Sequence, residues 1–163
     1  MVNTPPTIHA SAVLAGARAV LIRGPAGSGK SRLALNLIQA ASKSGQLIFA
    51  RLVADDRVHV EAAHDRLIAR PPAALASLLE VRGLGIQRLP YESMAVVSWV
   101  VDLAVPAPMR IPDDSTTHAV VAGVRIPRLA VAPGCDPVPM VLVAVTSRPL
   151  EFGDAPVSSD VAL

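Results

Sequence analysis

The sequence predicts an α/β fold, a mixed sheet with flanking helices, from three neighbouring features. Only one residue separates two short apolar runs, SAVLAG (residues 11–16) and RAVLIRG (residues 18–24). Such close spacing is typical of a tight hairpin. The second run leads directly into the glycine-rich stretch GPAGSGKS, residues 24–31. After it, apolar side chains recur at the spacing of one helix face. These side chains are Leu33, Ala34, Leu37, Ile38 and Ala41.

Further apolar or alternating runs predict the rest of the sheet. The strand segments are LIFARLVADD (47–56), RVHVEA (57–62), AHDRLIAR with its turn (63–70), AVVSWVVDL (95–103) and GVRIPRLAVAPG (123–134).

Three other segments complete the prediction. Residues 72–80 predict a short helix, because prolines precede a run of good helix formers. PVPMVLVAV, residues 137–145, fits a helix or a strand equally well. The proline-rich residues 104–119 are expected to form a surface loop.

Size and composition predict one domain over residues 1–150 and a frayed tail over residues 151–163. With 52% hydrophobic and 17% charged residues the chain can fold, yet its apolar runs fall short of a membrane span. No secretory signal is seen at the N-terminus. The single cysteine, Cys135, cannot form an internal disulfide, which agrees with a reducing compartment. The cytoplasm is the expected location.

Nucleic acid is not an expected partner. The formal net charge is only +2, and the arginines are scattered along the chain. Aromatic residues make up 2% of the sequence, so few side chains could stack on bases.

The stretch GPAGSGKS fits the spacing G-x-x-x-x-G-K-[ST] of a phosphate-binding loop. Backbone N–H groups at a helix N-terminus hold phosphate oxygens, and glycines let the chain approach them closely. A lysine adds charge at the β and γ phosphates, and a serine hydroxyl is the expected Mg²⁺ ligand. The predicted ATP-binding residues are Gly24, Gly27, Ser28, Gly29, Lys30 and Ser31.

Two adjacent carboxylates, Asp55 and Asp56, end an apolar strand downstream of this loop. Phosphoryl transfer needs a carboxylate for the metal and a group that orients or deprotonates the nucleophile. Adjacent residues of an extended segment point to opposite sides. One carboxylate is therefore expected to face the phosphoryl group and the other to support the metal. The alternative is a solvated pair at a strand end.

GPAGSGKS, LVADD and EVRGLGI (residues 80–86), in that order, resemble the catalytic domain of the HPr kinase/phosphorylases. These bacterial enzymes phosphorylate a serine of HPr, the carrier of the phosphotransferase system. The likeness runs from about Ile8 to Leu142, and the length is similar to that of truncated versions lacking the family's N-terminal domain. It implies an α/β fold with a phosphate loop of the phosphoenolpyruvate-carboxykinase kind, and assembly into homo-oligomers, hexamers in the family.

The resemblance also implies roles for residues beside the loop. Lys30 and Ser31 match the phosphate-binding lysine and the metal-binding serine. Asp55 matches the carboxylate that takes the serine proton, with Asp56 beside it as a second catalytic and metal-binding carboxylate. His9 matches a histidine near Asp55.

Three further matches lie downstream. Glu80 and Arg82 match the acid and base of the EVRGLGI signature, Glu80 near the metal and Arg82 near phosphate. Arg110 matches the arginine of a loop described as mobile in the family.

The sequence departs from the family pattern at a few positions. Pro25 and Arg32 stand where the family loop has acidic residues, and PGCD, with Cys135 and Asp136, stands where the family has P-G-R-N. ATP binding remains the expectation, whereas the phosphorolysis reaction and hexamer assembly are left open.

The sequence therefore predicts an ATP- and Mg²⁺-dependent serine kinase acting on HPr, with phosphorolysis of the product left open as a further activity. Two alternatives stay open. One is a small-molecule kinase that shares the loop, and the other is a nucleotide-binding regulatory module with weak catalysis.

Overall fold

The computed structural model describes residues 6–43, 49–106 and 116–147. These ranges contain ten strands, two α-helices and one short 3-10 helix, Ala73–Leu75. In chain order they are β1 (Thr7–Ala15), β2 (Arg18–Arg23), α1 (Lys30–Lys43), β3 (Ala50–Ala54), β4 (Arg57–Ala63), β5 (Arg66–Arg70), β6 (Leu78–Val81), β7 (Gly85–Arg88), β8 (Ala95–Asp102), β9 (His118–Val121), β10 (Val124–Ala130) and α2 (Val138–Thr146).

The main sheet is mixed, as predicted, and five of its strands close into a ring. Strand β2 pairs antiparallel with β1 and parallel with β8. The other pairings of the ring, β1 with β4, β4 with β5 and β5 with β8, are antiparallel. Strand β10 adds to β8 in parallel, and β9 pairs with β10. The parallel pairing of β2 with β8 brings their carboxyl ends to one edge of the sheet.

Two apolar clusters occupy the two faces of this sheet. One cluster contains several fully buried alanines of the ring strands, including Ala10, Ala19 and Ala69. Small side chains suit this position because a ring of few strands encloses little volume. The other cluster packs α1, through Leu33 and Leu37, against the opposite face. Helix α1 thereby packs mainly over β1 and β3, beside the strand that precedes the glycine-rich stretch.

The sequence predictions for the hairpin, for α1 and for strands β3, β4, β5, β8 and β10 agree with the structure. The undecided segment 137–145 is mostly helical, as α2. The helix predicted over residues 72–80 is wrong. That segment contains the 3-10 turn and then β6, which pairs with β7.

The physical reason for this error is tertiary. A helix of nine residues has little stability of its own. Ser77 adopts a positive φ of 71°, which ends any helix there. Beyond it Leu79 is 1% exposed in the cluster that includes α1, and β6 gains the hydrogen bonds of its pairing with β7. Burial and strand pairing therefore outweigh the local helix preference.

Two predictions fall outside the described residues: Arg110 with most of its loop, and the tail over residues 151–163. Within the described ranges, no helix is both long and apolar enough to cross a membrane.

An ion-pair cluster joins the carboxyl ends of β2, β8 and β10. Arg23 donates to both carboxylate oxygens of Asp102, Nε to Oδ1 at 2.7 Å and Nη2 to Oδ2 at 2.8 Å. Arg128 donates through Nε to Oδ2 of the same carboxylate. Burial raises the pKa of Asp102, but the hydrogen bonds from the two guanidinium groups outweigh it and hold that pKa below its usual value.

This cluster predicts a specific loss of stability in acid. A carboxyl group whose pKa is lowered by folding stabilises the protein fully above its unfolded pKa, about 3.9 for aspartate, and loses that contribution as the pH falls through the folded pKa. Asp102→Asn should cost about 2 kcal/mol at pH 6 and less at pH 3. Urea unfolding at both pH values measures this. Glu61→Gln, which breaks the exposed pair with Arg70, is the control. An equal cost of Asp102→Asn at both pH values would contradict the prediction.

Candidate active site

The glycine-rich loop connects β2 to α1, and Gly24 is its most constrained position. A Cβ at Gly24 would lie 2.6 Å from the Ser28 hydroxyl oxygen and 3.1 Å from the Leu103 Cβ. The loop then turns, with the Ser28 N–H donating to the Pro25 carbonyl at 3.1 Å. The loop root is thus packed directly against the chain that leaves β8.

Gly24→Ala is expected to destabilise the protein more than Gly16→Ala. Gly16, in the β1–β2 turn, has φ of 67° with nothing within 4 Å of a built Cβ, so alanine there carries only backbone strain of about 1 kcal/mol. At Gly24 the added methyl group would also overlap its neighbours, and such overpacking costs about 1–3 kcal/mol more. Urea unfolding of the two variants measures the difference, and equal costs would contradict it.

Lys30 is the first residue of α1, and its ammonium group turns back beneath the loop. The residue is 6% exposed, and Nζ donates to the carbonyls of Gly24 at 2.9 Å and Pro25 at 3.0 Å. Burial lowers the pKa of Lys30, while the nearby charges of Asp55 and Asp56 act in the opposite direction. The lysine predicted to contact phosphate is thus held beside the loop by two neutral acceptors.

Asp55 is buried at 4% exposure and accepts hydrogen bonds from three groups. The Ser31 hydroxyl lies 2.9 Å from each carboxylate oxygen. The Ser11 hydroxyl donates to Oδ1 at 2.6 Å, and the Glu80 backbone N–H donates to Oδ2 at 3.2 Å. These contacts join β1, α1 and β6 to the end of β3.

Asp56 points the other way, toward solvent. Its φ of 65° lies in the left-handed region, which aspartate tolerates better than most residues, and Arg57 N–H bonds to the Asp55 carbonyl across the turn at 2.8 Å. The Asp56 side chain is 66% exposed, and its Oδ1 lies 3.4 Å from Nε2 of His9. The resemblance implied that His9 lies near Asp55, whereas the carboxylate that the His9 ring faces is that of Asp56.

Of the three predicted site residues that follow in the sequence, Glu80 and Arg82 lie in the described part of the chain. Glu80 contacts Asp55 through its backbone, and its side chain is exposed. Arg82 is exposed in the turn between β6 and β7, and Arg110 lies outside the described residues. Pro25, Arg32 and Cys135, three positions that depart from the family pattern, are all exposed.

Sequence reasoning missed one residue of this site, Ser11. It is fully buried in β1, where a hydroxyl needs a hydrogen-bond partner, and Asp55 supplies that partner. Ser11 could have been noticed as a polar residue inside an apolar strand, but the sequence does not show which group its hydroxyl contacts.

The oxygen donors beside the loop suit Mg²⁺. No group of three His, Cys, Asp or Glu residues that could hold a metal is found in the part of the chain that the structure describes. Mg²⁺ usually takes one or two protein oxygens and completes its shell with water and phosphate oxygens. The Ser31 hydroxyl, with the Asp55 carboxylate beside it, offers that kind of donor set.

The family model described as HPr Serine kinase C-terminal domain matches residues 4–91, just over half of the chain. The chain belongs to this family. The matched range contains the hairpin, the glycine-rich loop, both aspartates and EVRGLGI, and it ends before β8. The family assignment therefore rests on the same segments that form the site around Ser31 and Asp55.

A solved structure, that of the HPr(Ser) kinase/phosphatase from Coxiella burnetii, is similar in fold. The match has a TM-score of 0.69 at 24% sequence identity and covers 86% of this chain and 88% of that chain. At this identity the likeness shows the fold alone. It agrees with the α/β fold that the sequence predicts, and it extends past the family match.

Proposed function

We propose that this protein is a serine kinase that transfers the γ-phosphoryl group of ATP, with Mg²⁺, to a serine of an HPr-type phosphocarrier protein in the cytoplasm. The observation that carries the proposal is the contact of Ser31 with the buried carboxylate of Asp55, beside Lys30 and below a glycine-rich loop. This is the arrangement in which a loop serine and a strand-end aspartate hold Mg²⁺ in phosphate-loop enzymes.

ATP would lie along the loop, with its phosphates held by the backbone N–H groups of residues 27–31 at the N-terminus of α1. The Lys30 ammonium would leave the carbonyls of Gly24 and Pro25 for phosphate oxygens, a stronger charge-assisted contact. Bound Mg²⁺ supplies charge that stabilises the phosphoryl group during transfer. Ser31 would be its ligand from the protein, oriented by Asp55.

The geometry supports different roles for the two aspartates. Asp55 is 4% exposed and already accepts from Ser11, Ser31 and the chain at residue 80, so it suits a supporting role for the metal. Asp56 is open to solvent and faces His9. We therefore assign the acceptance of the serine proton to Asp56, with His9 holding its carboxylate. This exchanges the roles that the resemblance implies for the two aspartates.

The β6–β7 hairpin is the remaining part of the proposed site. The Glu80 N–H contacts Asp55, which ties the hairpin to the centre. Arg82, in the turn, would offset charge on the transferred phosphoryl group, together with Arg110. In phosphorolysis, inorganic phosphate would take the phosphoryl group from the serine to give pyrophosphate, and Asp56 would return a proton to the serine oxygen.

Transfer of label tests the proposal. The protein is mixed with γ-labelled ATP, Mg²⁺ and HPr from the same organism, and HPr with its acceptor serine replaced by alanine serves as control. Label should appear on HPr, depend on Mg²⁺ and disappear with the control carrier. If ATP raises the melting temperature but HPr stays unlabelled, the protein is a nucleotide-binding module. ATP consumption that a metabolite stimulates, without labelled HPr, would indicate a small-molecule kinase.

A further inference from the structure

The cluster around Asp102 lies at the edge of the sheet where the glycine-rich loop begins, and two of its three residues, Asp102 and Arg128, lie beyond the residues that match the family. Arg23 is the last residue of β2 and stands opposite Asp102 in the parallel pairing of β2 with β8. Arg128 reaches the same carboxylate from β10. One side chain on β8 therefore holds two strands that do not pair with each other within the described sheet.

The root of the loop is attached to this cluster. Arg23 directly precedes Gly24, and the Leu103 N–H donates to the Arg23 carbonyl at 2.8 Å. Gly24 approaches so closely that an added Cβ would lie 3.2 Å from the Leu103 carbonyl oxygen. The end of β8 thus contacts Arg23 through both its side chain and its backbone, and it lies directly against Gly24, where the loop starts.

The charges make Asp102 necessary for this arrangement. Two guanidinium groups share one carboxylate that is 13% exposed, while Arg23 and Arg128 are 32% and 22% exposed. A partly buried ion-pair network is strongly affected when one partner is removed, because the remaining charges are left uncompensated. Without the Asp102 charge the two arginines would repel each other, and Arg23 would lose its two-point attachment.

We propose that Asp102 is a positioning residue for the glycine-rich loop. By holding Arg23 it fixes the direction in which the chain leaves β2, and through this the orientation of the amides at residues 27–31 and of Lys30. Its role in ATP binding rests on the proposed function, whereas its effect on loop order does not.

Two readouts test this inference with Asp102→Asn, which keeps the shape but removes the charge. Calorimetric titration with ATP and Mg²⁺ should give a Kd about tenfold higher than the wild type, since small misplacements of a binding site are costly. Amide hydrogen exchange should be about tenfold faster at Gly24 and residues 26–31, because the loop loses its support. At Leu33, Ala34 and Leu37 of α1, exchange should be faster only by the factor that the measured loss of unfolding free energy accounts for. Glu61→Gln should leave both readouts unchanged.

A merely structural role gives a different result. If Asp102→Asn lowers the melting temperature but leaves the Kd and loop exchange at wild-type values, the inference is overturned. If the wild type itself does not bind ATP, the proposed function fails, and loop exchange alone decides the inference. Should Asp102→Asn not fold, Arg23→Lys replaces it, because it keeps the charge but loses the two-point contact. Faster loop exchange is then expected, and unchanged exchange would overturn the inference.

Discussion

Replacing Lys30 with methionine is expected to abolish measurable phosphoryl transfer and to weaken binding of ATP with Mg²⁺ by a factor on the order of 10². The lysine supplies the only full positive charge within the glycine-rich stretch 24–31. Methionine keeps the length and fits the same space but cannot contact phosphate oxygens. Titration calorimetry with ATP and labelled transfer to HPr measure the two effects.

Folding of this variant should be little affected, because burial already disfavours the charged form of Lys30. Its two hydrogen bonds to loop carbonyls are lost, but so is the cost of burying an ammonium group. Lys43→Met, on the exposed last turn of the same helix, is the matched control and should retain both activities. ATP affinity within twofold of the wild type in Lys30→Met would refute the phosphate-loop assignment.

Asp56→Asn is the second variant with a large expected effect. It should lower the rate of transfer to HPr by a factor of about 10² to 10⁴, the usual contribution of a general base, with little change in the affinity for ATP. The amide has nearly the same shape as the carboxylate but cannot accept the serine proton. Rates at saturating ATP and HPr, with the Kd for ATP, separate this effect from a binding defect.

Asp55→Asn should behave differently, although it removes the neighbouring carboxylate. With its oxygen in the place of Oδ1 the amide could still accept from the Ser11 and Ser31 hydroxyls, but its NH2 group would face the Glu80 N–H and could not accept from it. The charge beside Ser31 would also be lost, so the affinity for ATP should fall and become less dependent on Mg²⁺. Stability should fall as well, since a buried polar group loses partners. If Asp55→Asn instead keeps ATP affinity and loses only the rate, while Asp56→Asn is active, the two roles are the reverse of those proposed.

The part of the fold around the loop could be predicted because its signals are local. The hairpin, the glycine-rich stretch and the stripe of α1 lie within about forty consecutive residues, and alternating or helical spacing reports burial on one face directly. The helix predicted over residues 72–80 failed for the opposite reason. Its segment forms β6 because Leu79 is buried in the apolar cluster that includes α1 and the strand pairs with β7.

The candidate site shows the same division. Lys30 and Ser31 were predicted from the spacing of the loop, and the aspartate pair from its position at the end of an apolar strand, but the contacts of these residues were not predicted. Ser11 meets Asp55 across 44 positions of the chain, and Arg23 meets Asp102 across 79. Such contacts depend on which strands become neighbours, and no local pattern in the sequence records that.

The sequence by itself determined the family, the α/β class and the loop that is proposed to hold phosphate, since glycine, lysine and serine at fixed spacing carry their chemistry wherever the chain folds. Only the tertiary structure decided which aspartate is buried beside Ser31 and which one faces His9 and solvent. It also decided that Asp102 would join β2 to β10. The reason is physical: exposure and charge pairing are properties of strands brought together by the closed ring, and they arise only once β2 lies between β1 and β8.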